Sequence, residues 1–206
     1  MASNYLPSLK CCIVGSCGVG KTSIIQKYLR KNNNNTETTL GAIFWTLLHK
    51  TPEDTPYKID FWDTAGQERY SSLIPMYSRN SDIMIVAFDI ADRNSFLDLD
   101  KWLHTLSDNS NYSKYILVGN KCDMELFRQV YESDVKHFLM KNKKLNMKYF
   151  ETSATLGTNI NNLFDFIFEL GNTKINNNHS PMVSIDLTDN KNIVLSKDKY
   201  NCCHLL

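Results

Sequence analysis

GSCGVGKT, Gly15 to Thr22, sets three glycines, a lysine and a hydroxyl at the spacing G-x-x-x-x-G-K-[ST]. An apolar stretch precedes it and a helical pattern follows, which is the setting that such a loop needs. Glycines let the chain turn so that successive N–H groups point inward, here those of Gly15, Gly18, Val19 and Gly20. The start of the next helix, at Lys21, Thr22 and Ser23, adds its positive end. Polyphosphate oxygens are the ligand that this chemistry fits. Lys21 would reach the β- and γ-phosphates and the Thr22 hydroxyl would bind Mg²⁺. The loop by itself says nothing about the base.

Two further stretches add to this. In WDTAGQE, Trp62 to Glu68, Asp63 could hold Mg²⁺ through water. The Gly66 N–H could meet a γ-phosphate, and Gln67 could orient an attacking water. In NKCD, Asn120 to Asp123, the Asp123 carboxylate could accept two hydrogen bonds from the N1–H and 2-amino edge of guanine. Adenine lacks those donors and would leave a desolvated charge unpaired. Asn120 could tie this loop to the phosphate loop, and the Lys121 stem could cover the base.

These residues need a scaffold, and the pattern around them supplies one. Strand-length apolar runs at Leu9–Val14, Ala42–His49, Tyr57–Trp62, Ile83–Phe88, Tyr115–Val118 and Lys148–Phe150 alternate with helical patterns. The helices are expected over Lys21–Arg30, Asn94–Leu106, Ser133–Asn142 and Asn159–Leu170. Alternation of this kind predicts an α/β fold, a mostly parallel sheet with helices on both faces. The two strands flanking the Pro52–Pro56 turn would be its one antiparallel pair. After Gly171 large side chains become few and polar ones many, so residues 173–206 are expected to be a flexible tail behind a domain at 1–172.

Composition sets outer limits. A chain of 206 residues with 42% apolar content can bury one full core. A net charge of +1 points to no nucleic-acid partner. Neither a secretory signal nor a membrane-length apolar run is expected, and Ala2 excludes N-myristoylation. The six cysteines form no zinc spacing and no disulfide framework.

GSCGVGKT, WDTAGQE, NKCD and ETSA (Glu151–Ala154), in this order and spacing, resemble a small GTPase of the Ras superfamily. WDTAGQERYSSLIPMYSRN, the TLGAIF before it and the terminal cysteine pair resemble the Rab branch most. The resemblance implies a doubly wound P-loop GTPase fold with six strands, and hydrolysis of GTP to GDP and phosphate. It implies Thr39 as the first-switch ligand of Mg²⁺ and of the γ-phosphate, and Lys21, Thr39, Gly66 and Gln67 as the catalytic set. The Ala154 N–H would meet guanine O6, with Ser153 supporting the loop. Phe44, Trp62 and Tyr77 match an aromatic surface for effectors. An exchange factor, a GTPase-activating protein, a prenylation escort and a dissociation inhibitor are the other implied partners of a monomeric switch. Cys202 and Cys203 would carry lipids that hold it on the cytosolic face of endosomal or Golgi membranes, regulating vesicle traffic.

RKNNNNTETTLGAIF, Arg30 to Phe44, departs from the pattern, because no aromatic lies between Tyr28 and Phe44. Rabs usually carry one midway along this segment, packed near the base. Tyr28 matches a core aromatic of the first helix better. Weaker nucleotide retention than in a typical Rab is therefore expected, and a slowly cycling adaptor is the alternative reading. A P-loop kinase or ATPase is disfavoured by NKCD and by the lack of a lid-like basic segment.

Overall fold

A computed structural model describes residues 6–29, 42–64, 66, 73–107 and 114–178. Of the residues singled out above, Thr39, Gln67, Cys202 and Cys203 lie outside them, as does the asparagine run.

Six strands form one sheet in the order β2-β3-β1-β4-β5-β6. They are β1 (Ser8–Val14), β2 (Ala42–Lys50), β3 (Pro56–Thr64), β4 (Ile83–Asp89), β5 (Lys114–Asn120) and β6 (Lys148–Glu151). All neighbours run parallel except β2 and β3, which pair antiparallel from Ala42↔Thr64 to Lys50↔Pro56. The tight turn between them supplies that exception, since parallel neighbours need a longer crossover. Crossover helices are α1 (Lys21–Leu29), α2 (Ile74–Ser78), α3 (Arg93–Leu97), α4 (Leu99–Ser107), α5 (Glu132–Lys141) and α6 (Ile160–Asn178).

Successive β1 residues serve opposite faces, as the pleat requires. Cys11 and Ile13 enter a core with Ile24, Phe61, Leu163 and Phe164, between the sheet and helices α1 and α6. Cys12 and Val14 enter a second core with Phe96, Trp102, Val135 and Phe138, under α3, α4 and α5. Burial pushes both thiols up, Cys12 to about 12, so these cysteines act as small apolar side chains.

Four features differ from the sequence-based expectation. The helix expected over Asn94–Leu106 is divided at Asp98, whose N–H bonds to the Asn94 and Phe96 carbonyls while its carboxylate turns to the phosphate loop. A 3₁₀ turn spans Cys122–Phe127 directly after β5, and α2 forms behind Leu73 with Pro75 in its first turn. The last helix does not stop near Gly171 but runs on to Asn178. A Cβ at position 171 would stand 2.7 Å from the Tyr57 hydroxyl, so this glycine admits a ring instead of ending a helix. Beyond it Ile175 is 1% exposed, and Lys174 pairs with Asp82 at 2.7 Å, so tertiary contacts hold the extra turns.

Candidate functional site

β1, β3, β4 and β5 end at one edge of the sheet, and every described motif leaves from that edge. It is the crevice at the carboxyl ends of the strands, where open α/β sheets place ligands. Val14 opens into the phosphate loop, Thr64 into the segment holding Gly66, and Asn120 into the 3₁₀ turn. β6 delivers Thr152, Ser153 and Ala154 beside it.

The Lys21 side chain curls back over its own loop and donates to the carbonyls of Gly15 at 2.8 Å and Ser16 at 3.0 Å. Only 6% of the residue is exposed, and burial pulls its ammonium down to about 8 against the opposing pull of Asp63. Val19, Gly20 and the start of α1 lie at the same crevice, where the first helical N–H groups lack helical partners. Gly20 has φ +97, and a Cβ there would collide with the Asn120 amide. Gly66 is enclosed by backbone as well, since a Cβ would run into the Lys21 ammonium and stand 2.6 Å from the Gly15 carbonyl oxygen.

Asp63 is wholly buried at the end of β3. The Thr22 hydroxyl donates to its Oδ2 at 2.6 Å, while Oδ1 is buried without a hydrogen-bond partner. A buried carboxylate oxygen left in this way is destabilising unless a cation meets it. Hard divalent cations with near-octahedral oxygen shells suit a carboxylate and a hydroxyl together, so the residues fit Mg²⁺.

The same burial makes a pH prediction. Desolvation, first among its causes, pushes the Asp63 carboxyl up to about 6, with Thr22 and Lys21 opposing. An acid with a raised folded pKa binds more protons folded than unfolded between the two values, so stability falls as pH rises through that window. In metal- and nucleotide-free protein the loss from below pH 4 to above pH 6 is expected to be about 3 kcal/mol. Urea midpoints across this range should show it, and Asp63→Asn should flatten it. An unchanged slope in the variant refutes the assignment.

The base-side loops are cross-tied. Asn120 donates to the Val19 carbonyl at 2.8 Å, as the sequence suggested. Its Oδ1 accepts from the Thr152 hydroxyl and from the Ala154 N–H, both at 3.2 Å. The Ala154 N–H expected to face guanine O6 is thus engaged in part by Asn120. Ser153 donates to Asp123 at 2.5 Å, which orients an otherwise exposed carboxylate. Lys121 adopts a left-handed backbone at φ 65 and its ammonium pairs with Asp89 at 2.7 Å, fixing the far end of the stem. Ser23 and Gly18 sit at the mouth of the loop, Gly18 exposed and Ser23 half-buried.

Several supporting residues were not legible beforehand. Ser16 donates to Asp98 at 2.8 Å and accepts from the Trp102 indole at 3.3 Å, which braces the phosphate loop from α4. Arg128 donates to both Glu125 and Glu151, clamping the 3₁₀ turn to the end of β6. Thr152 stood inside a quoted motif without a role. No short-range spacing marks the others, because their partners come from different strands and helices.

Phe44 and Trp62 are paired across β2 and β3 and meet edge to face at 5.3 Å, with Tyr77 5.9 Å beyond. Phe44 is 52% exposed, and Lys10 caps the Trp62 ring at 4.6 Å. The three form a continuous aromatic surface. Tyr28 lies elsewhere, stacked on Phe164 of α6 at 3.9 Å, as a core residue. Among the described residues no helix is long and apolar enough to cross a membrane.

Comparison with known proteins agrees with this geometry. A sequence model of the Ras family matches residues 10–172. The chain is 31% identical to Ras-related protein Rab-13 of Bos taurus, the alignment covering 93% of this chain and 97% of that protein. It is 32% identical to Ras-related protein Rab-13 of Mesocricetus auratus, with 93% and 97% covered. Against Ras-related protein Rab-11B of Dictyostelium discoideum the identity is 34%, with 94% of each covered. With a Ras-type sheet, a phosphate loop and similarity to Rabs along nearly its whole length, the chain belongs to the Rab branch of the Ras family, GTPases that bind GTP and GDP with Mg²⁺, hydrolyse GTP to GDP and act in vesicle traffic at intracellular membranes.

Proposed function

We propose a residue-by-residue division of labour for this GTPase. Lys21 neutralises charge on the β- and γ-phosphates, and the N–H groups of Gly15, Gly18, Val19, Gly20, Lys21, Thr22 and Ser23 cradle the polyphosphate. Thr22 and Asp63, with Thr39, hold Mg²⁺, which when bound neutralises phosphate charge. Asn120, Lys121, Asp123, Ser153 and Ala154 form the guanine side. The Gly66 N–H marks the γ-phosphate, and Gln67 positions water. Phosphoryl transfer has a loose transition state, so positioning and charge neutralisation carry the rate. The observation that carries this reading is the buried Asp63 oxygen without a partner, beside the Thr22 hydroxyl and the Lys21 ammonium.

In this reading Phe44, Trp62 and Tyr77 receive effectors in the GTP state, since clustered aromatics make apt hot spots. Residues 1–172 form the GTPase domain, carried by its last helix to Asn178. The remainder up to 206 is the tail, geranylgeranylated at Cys202 and Cys203 with the help of an escort and extracted by a dissociation inhibitor. An exchange factor and an activating protein drive the cycle of a monomer on endosomal or Golgi membranes. Single-turnover GTP hydrolysis is expected to be slow, accelerated by a Rab-activating protein and reduced in Gln67→Leu. GDP release faster than the usual slow range of Rabs is expected from the missing aromatic. Hydrolysis insensitive to both the activating protein and Gln67→Leu would favour the non-cycling adaptor instead.

A further inference from the structure

The parallel strands place their N-terminal ends at the edge opposite the nucleotide crevice, and lysines collect there. Lys114 opens β5 and Lys148 opens β6. Lys148 is in register with Ile116, two residues along the strand from Lys114, and a strand spacing of about 4.8 Å with about 3.3 Å per residue sets the two about 8 Å apart. Lys143 and Lys144 occupy the 3₁₀ turn just before β6. All four are exposed, and none has a carboxylate within ion-pair distance among the described residues. Lys141 beside them is neutralised by Asp100 at 2.8 Å. A shallow depression of about 440 Å³, lined by Lys141, Lys143, Lys144, His104, Tyr115 and Leu145, lies at the same end of the sheet on its α4–α5 side.

The chain leaves the folded domain at this edge. Lys174, near the end of α6, pairs with Asp82 at 2.7 Å, and the Asp82 carbonyl accepts the Lys114 N–H at 3.2 Å. The helix ends at Asn178, and Cys202 follows 24 residues later (202 − 178). Fully extended, such a length reaches about 80 Å at most, so an anchor at Cys202 and the lysine edge can meet one membrane. That segment has Lys191, Lys197 and Lys199 against Asp186, Asp189 and Asp198, so it offers no basic excess of its own.

We propose that Lys114, Lys143, Lys144 and Lys148 form a docking edge for anionic lipid headgroups, which turns the nucleotide crevice away from the bilayer. The inference deepens the anchored-switch reading: two lipids on a long tail hold the chain to a membrane without orienting its folded domain, and here the folded edge contributes charge that the tail lacks. Its setting in the cell rests on that reading, but its affinity does not.

The test uses the full-length unlipidated chain loaded with GDP and Mg²⁺, sedimented with vesicles of phosphatidylcholine alone or with one quarter phosphatidylserine. Binding is expected only to the second and should fall with salt. At about fivefold per lysine, Lys143→Gln/Lys144→Gln/Lys148→Gln should lower partitioning about a hundredfold, with GDP affinity unchanged as the folding control. Equal partitioning of variant and wild type overturns the proposal. So does wild-type binding to neutral vesicles, or retention on heparin without any binding to vesicles. A matching loss in Lys191→Gln/Lys197→Gln/Lys199→Gln with the edge intact would move the activity to the tail and also overturn it. Mass spectrometry of protein from cells reads lipidation of Cys202 and Cys203 separately, so failure of the anchor and failure of the edge are told apart.

Discussion

Lys21→Ala is expected to weaken both GDP and GTP binding by about 30-fold to several thousand-fold, the consequence of removing one partner from a buried charge contact at about 2–5 kcal/mol. Two effects combine. The phosphates lose a cation whose surroundings are mostly protein, where charge is poorly screened. The Gly15 and Ser16 carbonyls that now accept from the ammonium are also left without it. Lys21→Arg should not restore binding. Gly66 packs so tightly on the ammonium that even one added methyl collides with it, and a planar guanidinium is wider than an ammonium. Calorimetric titration of GDP at fixed Mg²⁺ checks both variants. Affinity within threefold of wild type for Lys21→Ala would remove the phosphate loop from the site.

Asp123→Ala is expected to erase most of the preference for guanine over adenine nucleotides. Two charge-assisted hydrogen bonds at about 1.5–3 kcal/mol each amount to about 10²- to 10⁴-fold in the GTP-to-ATP ratio. Loss should fall on guanine binding, because adenine makes neither bond. Ser153 presents this carboxylate through its 2.5 Å hydrogen bond, so Ser153→Ala should move the ratio in the same direction by less. Competition between labelled GDP and unlabelled ATP measures it. A ratio unchanged in Asp123→Ala would place base recognition elsewhere in the crevice.

The phosphate chemistry was readable because it is local. Contiguous residues 15–22 supply the amides, the lysine and the hydroxyl, and their spacing alone constrains the turn. Six strands and their parallel order followed from apolar runs interrupted by helical periodicity, with only the ends displaced. Tyr28 could be assigned to the core from its helical position, and it stacks on Phe164. Gly171 misled, because a glycine that ends a helix and one that admits a neighbouring ring look alike in a sequence. Residues 173–178 similarly look unable to bury much, yet Ile175 is buried, and Lys174 pairs with Asp82 just before β4 and donates to the Ser8 carbonyl of β1.

By itself the sequence determined the ligand class, the sheet and the order of the motifs, since each of these rests on short-range spacing. Apart from the tie of Asn120 to the phosphate loop, tertiary structure decided what those motifs touch. It set Asp63 beside Thr22 with one oxygen unmet, braced Ser16 against Asp98 and Trp102, and clamped Arg128 to Glu151. It also gathered four lysines at the edge opposite the nucleotide. The reason is geometric: parallel strands bring together residues that no window of sequence contains, and register determines which of them meet.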